Sequence, residues 1–178
     1  MRLSPGEVTK LALTAMRGAG ASWGTAEEAG QAVHWLEMRG EPGAAALADL
    51  LDKWPGEDVF LTHRTDGPVL SGPSGRLCPI RAGMTLTDHR ALSNWAQVTL
   101  DGLATPLLLA PFSHRAGYRR EGCRLSRATP ADWPAGSAHP RIDALVISRL
   151  QAHARETYVP ASAASRQAGA GAGSHDND

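Results

Sequence analysis

The stretch SPGEVTKLALTAMRG, Ser4 to Gly18, sets how the chain begins to fold. Ser4 and Glu7 stand at capping-box spacing, so the hydroxyl accepts from an amide of the first turn while the carboxylate reaches back to the serine amide. Pro5 falls where a missing N–H costs nothing. Val8, Leu11, Ala12 and Ala15 then repeat at helical spacing, and Gly18 offers a stop. The same grammar recurs in Thr25-Ala26-Glu27-Glu28, a second capping box followed by Ala29, Val33 and Leu36 on one face, with Gly40 as the stop. A third segment starts near Pro42 and aligns Leu47, Leu50, Leu51 and Trp54. The spacing predicts three short helices, the first two packed as a hairpin with Val8, Leu11, Val33 and Leu36 inside.

After Pro55 the pattern changes. Val59 to Thr62, Gly67 to Leu70, Val98 to Leu100 and Pro106 to Ala110 are short apolar runs separated by Gly, Pro and Asp, the punctuation of strands. Cys123-Arg124-Leu125 reads as a further strand. Between them one helix is expected, capped by Thr87-Asp88-His89 and facing inward through Leu92, Trp95 and Ala96. Pro140 opens a last helix with Ile142, Leu145, Val146 and Leu150 inside, running to about Tyr158, where Pro160 prevents continuation. Helices, then a mostly antiparallel sheet, then a helix make an α+β domain over residues 1–159, followed by an extended tail over 160–178.

Composition narrows the function classes. A chain of 178 residues, 42% hydrophobic and 20% charged, suits one globular domain. Its formal net charge is zero, so no global field attracts nucleic acid or anionic lipid, and neither is expected as a partner. Lys10 and Lys53 are the only lysines, and the arginine excess reads as coding bias or as anion binding. The N-terminal segment lacks the unbroken apolar run of a secretory signal, and no run is long enough to span a bilayer. Cys78 and Cys123 form neither a CxxC nor a zinc-ligand pair. They read as free thiols of a cytoplasmic protein, and neither metal nor cofactor is expected.

Three polar features are candidates for chemistry. Asp88-His89-Arg90 and Ser113-His114-Arg115 each place a histidine beside an arginine, pairing a potential acid or base with an anion clamp. The alternative is that Asp88 caps a helix and both histidines are surface residues. Cys78, before Pro79 in a Gly- and Pro-rich loop with Arg76, reads either as an activated thiolate or as a small buried apolar residue. The tail TYVPASAASRQAGAGAGSHDND has the composition of a loose end. Docked, it would set Arg166 beside the alternating Gly169, Gly171 and Gly173, whose amides can bind an anion, and Asp176 to Asp178 could meet a cation or an arginine pocket.

The tail, together with GAGASWGTAEEAGQAVHWL, resembles an uncharacterised bacterial family catalogued as a domain of unknown function, which implies a shared fold and a tail that acts as a docked strap. The segment from Leu3 to Leu51 resembles the N-terminal helices of the malate and L-lactate dehydrogenase family that includes sulfolactate dehydrogenases. The active-site histidine of that family would fall in the turn Arg39 to Gly43, which holds none, and no GxGxxG follows a strand. What this resemblance implies is therefore a helical hairpin. The reading that follows is a small enzyme or enzyme subunit for an anionic metabolite, with His89, His114 and Cys78 as catalytic candidates and Arg90, Arg115, Arg166 and the tail glycines as ligand-binding groups. The alternative is a noncatalytic partner of a catabolic enzyme, docking through its tail. As a docked strap the tail would close a site on its own subunit or on a neighbour in a homo-oligomer, whereas as a handle for another protein it would be undocked in isolation.

Overall fold

The computed structural model describes residues 1–92, 95–129 and 140–157. The tail glycines and Arg166 lie outside those residues. Helix α1 (Pro5–Gly18) has the expected capping box: Ser4 Oγ accepts from the Glu7 amide at 3.3 Å, and Glu7 Oε2 accepts from the Ser4 amide at 2.7 Å. Hydrogen bonds from the Ser4 amide and the Ser4 side chain hold the Glu7 carboxyl below its ordinary value. Val8, Ala12 and Ala15 are buried, whereas Leu11 is half-buried. Gly18 is not the stop. A β-carbon there would lie 1.7 Å from the His153 carbonyl oxygen of the last helix, and the left-handed residue that ends the turn is Gly20 at φ +89°.

Helix α2 (Trp23–Glu37) starts earlier than the second capping box suggests, because Ser22 is the cap and accepts from the Thr25 amide at 3.4 Å. Thr25 is consequently inside the helix and fully buried. Ala29, Val33 and Leu36 are buried, and Gly40 at φ +78° closes the turn as expected. Helix α3 (Gly43–Leu51) has Pro42 at its cap and so no side-chain cap of its own. Glu37 of α2 takes that role, accepting from the Ala44 amide at 2.8 Å. Burial pushes the Glu37 carboxyl above its ordinary value, and the amides of Ala44 and Gly43 offset part of that rise.

The sheet has the order β1-β2-β3-β5-β4, from β1 (Phe60–Arg64), β2 (Gly67–Ser71), β3 (Gln97–Leu100), β4 (Tyr118–Glu121) and β5 (Arg124–Arg127). It is mostly antiparallel as expected, with β2 and β3 the parallel pair. A parallel pair needs a crossover, and α4 (Pro79–Leu92) supplies it. This helix begins eight residues before the expected cap, with proline in its first turn. Thr87 lies inside it and returns its hydroxyl to the Gly83 and Met84 carbonyls. Gly83 hid the helical pattern, and it is glycine because a β-carbon would fall 2.2 Å from Cγ of Phe112. Phe112 belongs to α5 (Ala110–Ala116), which a 3₁₀ turn over Pro106–Leu109 introduces. The apolar run expected as a strand is thus helical, an ambiguity inherent in short unbroken runs.

The last helix, α6, is Ala144–Arg155, with the Asp143 carboxylate accepting from the Leu145 amide at 2.7 Å. Pro140 and Ile142 instead pair in extended form with the N-terminal residues, through Leu3 N–H to Pro140 O at 3.3 Å and Ile142 N–H to Met1 O at 3.0 Å. The later start rotates the inner face: Ile147, Leu150 and Ala154 are buried, and Leu145 is 70% exposed. Two cores result. One joins α1, α2, α3 and α6 and includes Cys78 and Phe112; the other lies between the sheet and the helices α4 and α5.

Candidate functional site

Helix α2 carries two stripes. Ala29, Val33 and Leu36 turn into the core, and Glu28, Gln31, His34 and Trp35 recur three and four residues apart along the other side, with Arg39 in the turn that follows. Facing this second stripe is α5, which brings Phe112, His114 and Arg115, and the two helices enclose a groove of about 590 Å³. Gly117 at φ +70° ends α5, so His114 and Arg115 lie in its last turn, where the carbonyl ends of the helix favour positive charge.

The groove is cationic and aromatic. The Arg39 guanidinium lies 4.0 Å from the centre of the Trp35 ring, and Nη1 donates to the Trp35 carbonyl at 3.1 Å. Its Nε is buried with no hydrogen-bond partner. The His114 ring is 5.5 Å from Trp35, tilted by 50°. Arg115 lies 5.2 Å from the Phe112 ring and donates to Glu28 Oε2 at 3.0 Å. Arg115 is exposed and Glu28 partly so, which leaves the ion pair worth about 0–1 kcal/mol and readily exchanged for another anion. Glu28 is the only carboxylate among the described lining residues.

The two histidine-arginine turns meet, but not as a histidine pair. Arg90, in the last turn of α4, donates to the Arg115 carbonyl at 2.5 Å and so ties α4 to α5. His89 stacks on Trp95 at 4.5 Å, 20° from parallel, with Nδ1 buried and unpartnered. His114 faces the groove with α2 instead. Ser113 is buried, and its Oγ makes no hydrogen bond to His114 or to any other described group. Cys78 is 1% exposed in the helical core, and burial pushes its thiol up to about 11, with the Arg81 and Ile80 amides and the Arg81 charge offsetting only part of that. Arg76 has a different role, donating to the Lys53 carbonyl at 3.2 Å. Among the described residues no group of three or more His, Cys, Asp or Glu could hold a metal ion.

The sequence reading of the site omitted His34, Trp35 and Arg39. Part of their signal was available, since Glu28, Gln31, His34 and Trp35 recur at helical spacing beside the Ala29-Val33-Leu36 face. The structure thus defines an α+β domain whose most chemically furnished groove lies between two helices and is lined by paired arginines and histidines. The chain belongs to the family described as protein of unknown function (DUF3726), whose model matches residues 3–103. That match takes in the α2 wall of the groove and stops before α5 and the tail. No curated protein and no solved structure matches the chain. No helix among the described residues is long and apolar enough to cross a membrane.

Proposed function

We propose that the groove between α2 and α5 binds a small anionic metabolite, with Arg39 and Arg115 as its clamp. The carrying observation is the imbalance of charge: two guanidiniums line one groove, with two imidazoles beside them, against the single carboxylate Glu28. An anionic ligand would take the place of Glu28 on Arg115 and find the fork of Arg39 already held flat by Trp35. His34 and His114 stand where a proton could be exchanged with such a ligand, which supports the reading of an enzyme or an enzyme subunit. Arg90 is a positioning residue that holds the α5 backbone through the Arg115 carbonyl. Arg166, Gly169, Gly171 and Gly173 lie outside the described residues, and their role as ligand-binding groups stays the expectation drawn from the sequence.

The test is titration calorimetry with malate, citrate and inorganic phosphate against the native protein, Arg39→Gln and Arg115→Gln. Each variant should weaken the best of these probes by about tenfold or more, since a charge-assisted hydrogen bond carries about 1.5–3 kcal/mol. Binding at native affinity in both variants would remove the groove as the site. A noncatalytic role draws on a different feature: Trp23 is 62% exposed at the start of α2, with Arg17 only 4.7 Å above its ring, as in a contact surface for another protein.

A further inference from the structure

The two clamp arginines of the α2–α5 groove are fixed at different levels of α2. Arg115 donates to Glu28 Oε2 at 3.0 Å, so its guanidinium stands beside Glu28, and Arg90 holds the backbone behind it through the Arg115 carbonyl. Arg39 reaches back from the turn after α2, with its guanidinium 4.0 Å from the centre of the Trp35 ring and Nη1 on the Trp35 carbonyl at 3.1 Å. Glu28 and Trp35 are seven residues apart on one helix. Seven residues are two turns, so the two positions share a face and are separated by about 10 Å at roughly 1.5 Å per residue. Helical side chains lean toward the N-terminus, which carries the Glu28 carboxylate away from the Trp35 carbonyl. The two guanidiniums therefore stand roughly 10 Å apart.

Between those two levels α2 lines the groove with Gln31, Ala32 and His34, none of them a carboxylate. The α5 wall adds Pro111, Phe112 and His114, the last 5.5 Å from Trp35. The groove is thus cationic at two separate places. One carboxylate cannot serve both, because C–O bonds of about 1.23 Å keep its two oxygens within about 2.5 Å of each other. Contacts of about 2.8 Å at each guanidinium leave roughly 4 Å or more between the acceptors that would fill the gap. Among the described residues the Arg39 guanidinium is hydrogen-bonded through Nη1 alone, which leaves Nη2 for a ligand. Resting on the anion-binding reading of this groove, we infer that its ligand is a dicarboxylate whose carboxylates are separated by a spacer of two to four carbons. One carboxylate meets Nη2 of Arg39, the other takes the place of Glu28 on Arg115, and the spacer lies along the groove between α2 and α5.

Calorimetry on the full chain with glutarate, valerate and oxalate tests the bridge. Valerate has the carbon chain of glutarate with one carboxylate, and oxalate has the charge of glutarate with no spacer. Glutarate should bind about tenfold or more tighter than either, the value of one lost charge-assisted bond. Arg39→Gln and Arg115→Gln should each lower glutarate to the affinity of valerate, because either change leaves one end unheld. Glu28→Gln, which removes the carboxylate that competes for Arg115, should tighten glutarate. Equal binding of glutarate and valerate, or of glutarate and oxalate, by the native protein would overturn the bridge. If the two arginine variants still weakened those ligands, the groove would remain an anion site and only the dicarboxylate would be lost. A preference for glutarate that persists in both arginine variants would place binding elsewhere and remove the groove and the bridge together. No binding of glutarate at about 10 mM, a concentration that detects even millimolar affinity, would overturn the bridge and leave the groove to its phosphate titration.

Discussion

Replacing Gly18 with alanine asks the structure for space it does not have. The added β-carbon would stand 1.7 Å from the His153 carbonyl oxygen and 2.6 Å from the carbonyl carbon, so the obstacle is the backbone of α6 and no side-chain rotation relieves it. Ordinary contact between carbon and oxygen is about 3.3 Å, so α1 and α6 must separate by roughly 1.5 Å at their crossing. Ile147, Leu150 and Ala154 would all be lifted from the helical core in the process. Overpacking of this kind costs about 1–3 kcal/mol, and a backbone clash belongs at the upper end. The helix preference of alanine over glycine returns at most about 1 kcal/mol. A net loss of about 2 kcal/mol from a total of about 5–15 kcal/mol should lower the melting temperature by roughly 4–8 °C. Gly24→Ala is the matched control: it sits in the first turn of α2, with nothing within 4 Å of a new β-carbon. That substitution should stabilise by about 0.4–1 kcal/mol through the unfolded chain. Urea denaturation of the three proteins gives the comparison, and a Gly18→Ala variant at least as stable as Gly24→Ala would refute the α1–α6 crossing.

Leu36, fully buried between α1, α2 and α3, should tolerate no charge, and Leu36→Asp should cost about 3–5 kcal/mol or prevent folding, read by circular dichroism on heating. Cys78 should react slowly with a thiol reagent in the native protein and rapidly in denaturant, because its thiol is buried and held protonated. Its raised value also has a sign in stability: from its ordinary 9.0 up to about 11 the unfolded chain loses this proton while the folded chain keeps it. Stability is therefore whole below pH 9 and falls by about 1.4 kcal/mol per unit as pH rises toward 11, a slope that Cys78→Ala should lack. Ending the chain at Ala161 should leave the melting temperature near that of the full protein and weaken the anion probes of the groove, if the strap reading is right.

Much of the fold could be read from periodicity and caps. Ser4 with Glu7, and Ala29 with Val33 and Leu36, are local signals, and local signals survive in one dimension. The strands at Phe60, Gly67 and Gln97 lie within a residue or two of their expected starts for the same reason. The errors share a cause. Gly18 and Gly83 look like helix stops or breaks in sequence, yet each is glycine because another element passes too close for a β-carbon, a fact about packing between distant segments. Leu145 looks like a core residue until the N-terminal strand captures Pro140 and Ile142 and delays the start of α6.

The sites were less legible than the fold, and the reason is geometric. His114 and Arg115 were visible as neighbours in sequence, but what gives them a chemical setting is the far stripe of α2, more than seventy residues earlier in the chain. The bridge between Arg2 and Arg141 is more distant still, since the two meet only because the two extended segments pair. In the groove folding brings Arg39 and Arg115 into one lining with the single carboxylate Glu28. Glu28 answers Arg115 weakly at the surface. A net charge of zero conceals this, because the compensating acids sit elsewhere, Asp49 and Asp52 together on Arg149 for example. Counter-charge spent away from the groove leaves Arg39 and Arg115 facing one weakly held carboxylate, and on the proposed reading an anionic ligand completes that pairing.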